Sequence, residues 1–115
     1  MDGPGTALNI LMNEKESLHG KPVYELIVTL AHDAGLAGAT LTRGFLSYGP
    51  LGHFHDADIE VMMGELPVSI LIVDTSEKIA GFLPSLEGIV GNGLVQTWDV
   101  NIELYRHNSV PGGHE

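Results

Sequence analysis

A chain of 115 residues is one ordinary domain, long enough to bury a single core. It has no cysteine, which excludes disulfides and thiolate metal sites, and 43% hydrophobic against 17% charged residues reads as globular rather than disordered. Fifteen acidic and five basic residues give a formal charge of −10, a surface that repels a phosphate backbone, so no nucleic-acid partner is expected.

The start, Met1-Asp2-Gly3-Pro4-Gly5, carries neither a basic nor an apolar leader region, and no apolar run approaches the ~20 residues that span a bilayer. The expectation is a cytoplasmic protein that is not membrane-inserted.

Residues 6–12 (TALNILM) read as a strand with Leu8, Ile10 and Met12 on one face, and residues 13–20 as a polar loop. Pro22 stands where a helix would begin. Val23, Leu26, Ile27, Leu30, Ala31 and Ala34 then recur at three- and four-residue spacing up to Gly35, which can take the left-handed C′ conformation. Residues 38–48 (GATLTRGFLSY) read as a second strand and residues 49–58 (GPLGHFHDAD) as an exposed, turn-rich loop. A short strand over residues 59–63 leaves that loop. Residues 68–74 (VSILIVD) are apolar on both faces apart from Ser69, as expected of a central strand covered on both sides.

Asp74 or Ser76 can cap the next helix, and Asp74-x-x-Glu77 has capping-box spacing. Ile79, Phe82, Leu83 and Leu86 form its apolar stripe, and Pro84 inside it predicts a kink. Gly88, Gly91 and Gly93 end the helix. Residues 94–105 (LVQTWDVNIELY) form the last strand, with Trp98, Val100, Ile102 and Leu104 on one face.

The order is β-α-β-β-α-β. Two right-handed βαβ units sharing one antiparallel sheet predict an α+β, ferredoxin-like sandwich with both helices on one face and a long connection between the second and third strands. A single domain is expected over residues 6–107, with a flexible tail over residues 108–115. The open face of such a sheet must be polar or covered, and Trp98 and Tyr105 point to packing against other copies.

Three features carry chemistry. Gly88, Gly91 and Gly93 let the backbone approach an anion, and a turn of successive N–H groups makes an anion nest; equally, they could only end a helix and turn into a strand. On an extended stretch His53 and His55 point the same way, a two-point grip for a divalent metal to which Asp56 or Asp58 could add oxygen. The same loop could report pH or be merely solvated. His19 and Lys21 could hold their loop at the first helix or touch an anion there.

No enzyme is expected. No thiol nucleophile exists, none of Ser17, Ser47, Ser69, Ser76, Ser85 and Ser109 has a G-x-S-x-G context, and no Walker A, Rossmann or H-E-x-x-H pattern occurs.

Gly35-Leu36-Ala37-Gly38-Ala39-Thr40-Leu41 resembles the helix-to-strand corner of PII proteins. Leu66-Pro67 with the apolar strand to Asp74 resembles their segment after the T-loop, and Gly88-Ile89-Val90-Gly91-Asn92-Gly93-Leu94 their B-loop. His19-Gly20-Lys21-Pro22-Val23-Tyr24-Glu25, Ala39-Thr40-Leu41-Thr42-Arg43-Gly44 and Phe82-Leu83-Pro84 are similar to the domain-of-unknown-function 190 family, a PII-like group within the GlnB/CutA-like superfamily. The likeness runs from about Leu8 to Arg106.

The resemblance implies a signalling homotrimer with small-molecule clefts between subunits, and a T-loop that docks on a target, with a membrane transporter as the first expectation. Gly38, Ala39 and Thr40 would line the adenine side, Tyr48 and Gly49 the T-loop base, and Gly88, Ile89, Val90, Gly91, Asn92, Gly93 and Leu94 the phosphate side. Leu94 stands where PII carries a lysine, and Tyr105 and His107 replace two arginines, leaving Arg106 nearby. Each lost cation removes a charge-assisted contact, so AMP or ADP is expected as effector before ATP, with no cofactor required. Arg43 would pair with a carboxylate across the trimer or reach the ligand. The alternatives are a CutA-like divalent-metal-binding trimer resting on His53 and His55, and a ligand-free structural adaptor.

Overall fold

The computed structural model describes residues 2–44 and 67–106. In chain order these form β1 (Gly3–Asn13), β2 (Ser17–Leu18), β3 (Lys21–Pro22), α1 (Val23–Asp33), β4 (Thr40–Arg43), β5 (Pro67–Asp74), α2 (Ser76–Phe82), α3 (Pro84–Glu87) and β6 (Gly93–Ile102). The main sheet has the order β4-β5-β1-β6 with every neighbouring pair antiparallel, the ferredoxin-like arrangement expected from the element order.

Alternation along β1 and β5 decides the core. Leu8, Ile10 and Met12 of β1 and Val68, Ile70 and Ile72 of β5 share one face and are fully buried against Val23, Ile27 and Ala31 of α1 and Ile79, Phe82 and Leu86 of the later helices. Each large side chain withdrawn from water in this way contributes about 1.5–3 kcal/mol. The other face of the sheet is open. β5 is central in the sheet, yet among the described residues it is covered by helices on one face alone, and its Leu71 is 40% exposed. The expectation of cover on both sides therefore fails for the single chain.

Local chemistry explains the ends of elements. The segment read as a loop after β1 contains the small β2–β3 hairpin, whose two turn residues, His19 and Gly20, both have positive φ (53° and 80°), as a tight two-residue turn requires. Pro22 lies outside α1 as its N-cap, in extended conformation and without a side-chain cap bond, so neither His19 nor Lys21 caps the helix. At the other end Gly35 N–H donates to the His32 carbonyl (3.1 Å) and Leu36 N–H to the Ala31 carbonyl (3.1 Å), the paired bonds of a Schellman motif, with Gly35 at φ +77°.

The cap of α2 is Thr75, whose hydroxyl accepts from Lys78 N–H at 3.3 Å; neither Asp74 nor Ser76 fills that role. Pro84 acts as expected: the helix breaks at Leu83 and restarts as α3 with the proline in its first turn. β6 ends at Ile102, short of Leu104 and Tyr105. The second predicted strand is seen from Thr40 to Arg43, and the remainder of that strand, the strand predicted over residues 59–63, the 49–58 loop and the 108–115 tail lie outside the described residues. Among the described residues, no helix is long and apolar enough to cross a membrane.

Candidate functional site

The corner between α1 and β4 is held by side chains from three other places in the fold, Asp74, Lys78 and Tyr105. The Asp74 carboxylate, 2% exposed, accepts Ala37 N–H at 2.8 Å through Oδ2 and Thr75 N–H at 2.6 Å through Oδ1. Lys78 Nζ donates to the Gly35 carbonyl and the Tyr105 hydroxyl to the Ala37 carbonyl, each at 3.4 Å. Between these groups opens a cavity of about 480 Å³ with a polar lining that includes Asp74, Thr75 and Lys78.

Tyr105 and Ala37 also border a second cleft, of about 310 Å³, on the open side of the sheet. Its walls are Gly38 and Thr40 on one side, Leu71 and Val73 in the floor, and Ile102 and Leu104 opposite. That volume is at the lower end of small-ligand sites, and apolar walls with a few polar groups suit a flat heterocycle. Of the residues expected to line an adenine, Gly38 and Thr40 are in the wall, whereas Ala39 turns inward and packs on the core. Arg106 follows Tyr105 and is exposed.

The glycine-rich loop is elsewhere. Thr40 sits opposite Leu71, which sits opposite Asn9, while Gly93 sits opposite Met12. β4 and β6 are the two outer strands, so the offset is roughly 17 Å at ~3.3 Å per residue and ~4.8 Å per strand. Within one chain the two halves of the expected nucleotide site do not meet.

In the loop, Ile89 and Val90 N–H groups both donate to the Leu86 carbonyl (3.1 and 2.9 Å), and both side chains pack on the core. Those two donors serve the end of α3 and are not offered to a phosphate. Gly91 and Asn92 N–H donate to no backbone carbonyl among the described residues. Gly93 is needed by its own chain, because a Cβ there would stand 2.6 Å from the Leu11 carbonyl oxygen. Gly88 and Gly91, like Gly38, have neither positive φ nor any atom within 4 Å of the Cβ they lack. Leu94 is on the open face opposite Leu11. Leu83, Leu86, Val90 and Val95 line a separate groove of about 380 Å³ beside the loop.

Arg43 finds its carboxylate within its own chain: Nη2 is 2.5 Å from Glu14 Oε1, with Glu14 largely buried and Arg43 57% exposed. The pair reaches across β5 from β4 to the residue that follows β1. It accounts for Arg43 without a neighbouring subunit or a ligand. Tyr48, Gly49, His53 and His55 lie outside the described residues; among the described residues no cluster of three or more His, Asp or Glu could hold a metal.

The sequence reading assigns no site role to Asp74 or Lys78. The signal for Asp74 was available: counting in twos from Val68 places it on the core face, where an acid requires a reason. The floor residues Leu71 and Val73 had no signal beyond strand apolarity.

The domain-of-unknown-function 190 family, DUF190, described as Uncharacterized ACR, matches residues 5–102. Among curated relatives, a UPF0166 protein of Aquifex aeolicus is 36% identical over 95 residues, covering 83% of this chain and 90% of the relative. A UPF0166 protein of Methanocaldococcus jannaschii is 34% identical over 96 residues, covering 83% and 88%. Among solved structures, CPII from Thiomonas intermedia K12 bound to ADP and bicarbonate superposes with a TM-score of 0.60 at 20% identity, covering 88% of this chain and 90% of that one. CPII bound to ADP, AMP and acetate gives 0.58 at 18% identity, covering 90% and 93%. The ferredoxin-like sheet order, the family match over residues 5–102 and these relatives agree: the chain belongs to the DUF190 family and has a PII-like fold.

Proposed function

We propose that this chain is a PII-like regulator that binds an adenine nucleotide, AMP or ADP, in clefts between the subunits of a homotrimer. The observation that carries this reading is the set of glycines without an internal reason. Gly38, Gly88 and Gly91, like Gly81 within α2, have ordinary φ and open space at the missing Cβ, so nothing among the described residues demands glycine there; these three, unlike Gly81, flank strands at the sheet edges. Glycine in such places suits close approach by something outside the chain.

The two glycine regions lie at opposite edges of the sheet, so a ligand touching both needs two copies. The open face supports such assembly, since Leu71, Leu94 and Trp98 are exposed there. The similar CPII structures hold ADP and AMP, which favours the same ligand class.

The floor and walls of the 310 Å³ cleft would take the adenine, and the Gly91 and Asn92 N–H groups of the neighbouring subunit the phosphate. The cation supply is thin: among the described residues the cleft lining holds no basic side chain, Arg106 follows Tyr105 in sequence, and the chain charge is −10, so AMP and ADP are favoured over ATP.

The proposed activity is binding rather than turnover, in the cytoplasm. The output is a population shift in the loop over residues 49–58, which would engage a target protein such as a membrane transporter. Light scattering with calorimetry tests this: a mass of three chains and binding in the order AMP or ADP before ATP are expected. A monomer that binds none of them overturns the reading, and ATP binding tighter than AMP overturns the charge argument.

A further inference from the structure

We propose that Asp74 is the positioning residue of the cleft wall formed by Gly38 and Thr40, acting through the Ala37 N–H; the inference rests on the nucleotide reading above. Asp74 stands on the core face of β5, in the alternation that places Val68, Ile70 and Ile72 inward. An apolar side chain there would extend the core, whereas a buried carboxylate must be fully hydrogen-bonded to be tolerated. Asp74 meets that demand with backbone groups alone, at 2.8 Å to Ala37 and 2.6 Å to Thr75.

One acceptor therefore ties the loop that enters β4 to the turn that leaves β5. The loop is fixed upstream by the Leu36 N–H bond to the Ala31 carbonyl, which closes α1. Downstream, Ala37 borders both cavities, and Gly38 begins the wall of the smaller one. The remaining grips on this loop, from Lys78 and Tyr105, are longer, at 3.4 Å, and exposed. The short, buried grip is the one that can set the wall to within the few tenths of an ångström that ligand recognition needs.

The substitution Asp74→Asn separates positioning from bulk stability. Asparagine offers one acceptor oxygen, and its NH₂ would face a backbone N–H, donor against donor. We expect AMP binding to weaken roughly tenfold or more, with the assembled mass unchanged. Amide shifts of Ala37, Gly38, Ala39 and Thr40 should move in the free variant. A core variant, Ile72→Val, should lose thermal stability while keeping wild-type affinity.

Wild-type affinity in Asp74→Asn, or unmoved amide shifts over residues 37–40, overturns the proposal. Should Asp74→Asn not fold, amide exchange in the wild-type protein decides: slowing at Ala37 and Thr75 on AMP saturation supports the clasp, and free-loop exchange at Ala37 in both states overturns it. A wild-type chain that binds neither AMP nor ADP sinks the nucleotide reading separately, and the amide shifts still test whether Asp74 holds the wall.

Discussion

β1 and β6 lie side by side over ten paired residues, Gly3 to Met12 against Ile102 to Gly93, and both alternate apolar side chains. Yet β1 buries Leu8, Ile10 and Met12 to 1% exposure or less, while Trp98 of β6 keeps 46% of its surface. The difference is place in the sheet. β1 has strands on both sides and α2 above it, whereas β6 has one neighbour and shows its largest side chain on the open face. Apolar alternation thus records two different debts to water: one settled inside the chain, the other left open on the exposed face.

The comparison can be broken from the buried side first. Ile10→Ala should destabilise the chain by about 2–5 kcal/mol, read as a fall of the thermal midpoint by roughly 10 °C or more. Its effect on the assembled mass should follow only from unfolding. A mild loss would mean that β1 is not the centre of the core.

The start of β6 is the next test. Gly93→Ala sets a methyl 2.6 Å from the Leu11 carbonyl oxygen and should cost about 1–3 kcal/mol in chemical denaturation. Trp98→Ala should change the unfolding free energy of the separated chain by about 1–2 kcal/mol, less than Ile10→Ala, since half the indole is already in water. Its signature is instead a drop in mass by light scattering. A variant that stays assembled would show that the open face is not the interface.

The smallest stability effect is expected two residues before the tight glycine. Gly91→Ala meets nothing and needs no special φ, so unfolding should shift by ~0.5 kcal/mol at most. Calorimetry should nevertheless record weakened AMP binding. Gly91 and Gly93 together thus separate a glycine demanded by the fold from one that the proposed ligand would use; equal effects on stability and none on binding would merge them again.

Much of the architecture was legible in the residues. Period-two alternation marked β1, β5 and β6, three- and four-residue spacing marked α1, and Gly35 and Pro84 fixed where helices stop and bend. These features depend on a few neighbours along the chain, which is why they can be read from it. The β2–β3 hairpin has no such local mark, because His19 gives no warning that it will take positive φ, and Thr75 takes the place of the expected caps because strand β5 runs through Asp74.

The site was legible in composition and not in placement. Gly38, Thr40 and the Gly88–Gly93 glycines could be named in advance, but pairing register alone shows that they lie at opposite edges of the sheet. Register also brings Glu14 to Arg43, and the meeting of three elements turns Asp74 from a cap candidate into a buried anchor. Local conformation follows from steric and hydrogen-bonding preferences within a few residues, so the amino-acid order determined the elements and their apolar faces. Which acid meets which base, which carbonyl crowds which glycine and which strand stays bare depend on partners 29 to 82 positions away, and only the packing of the sheet decided them.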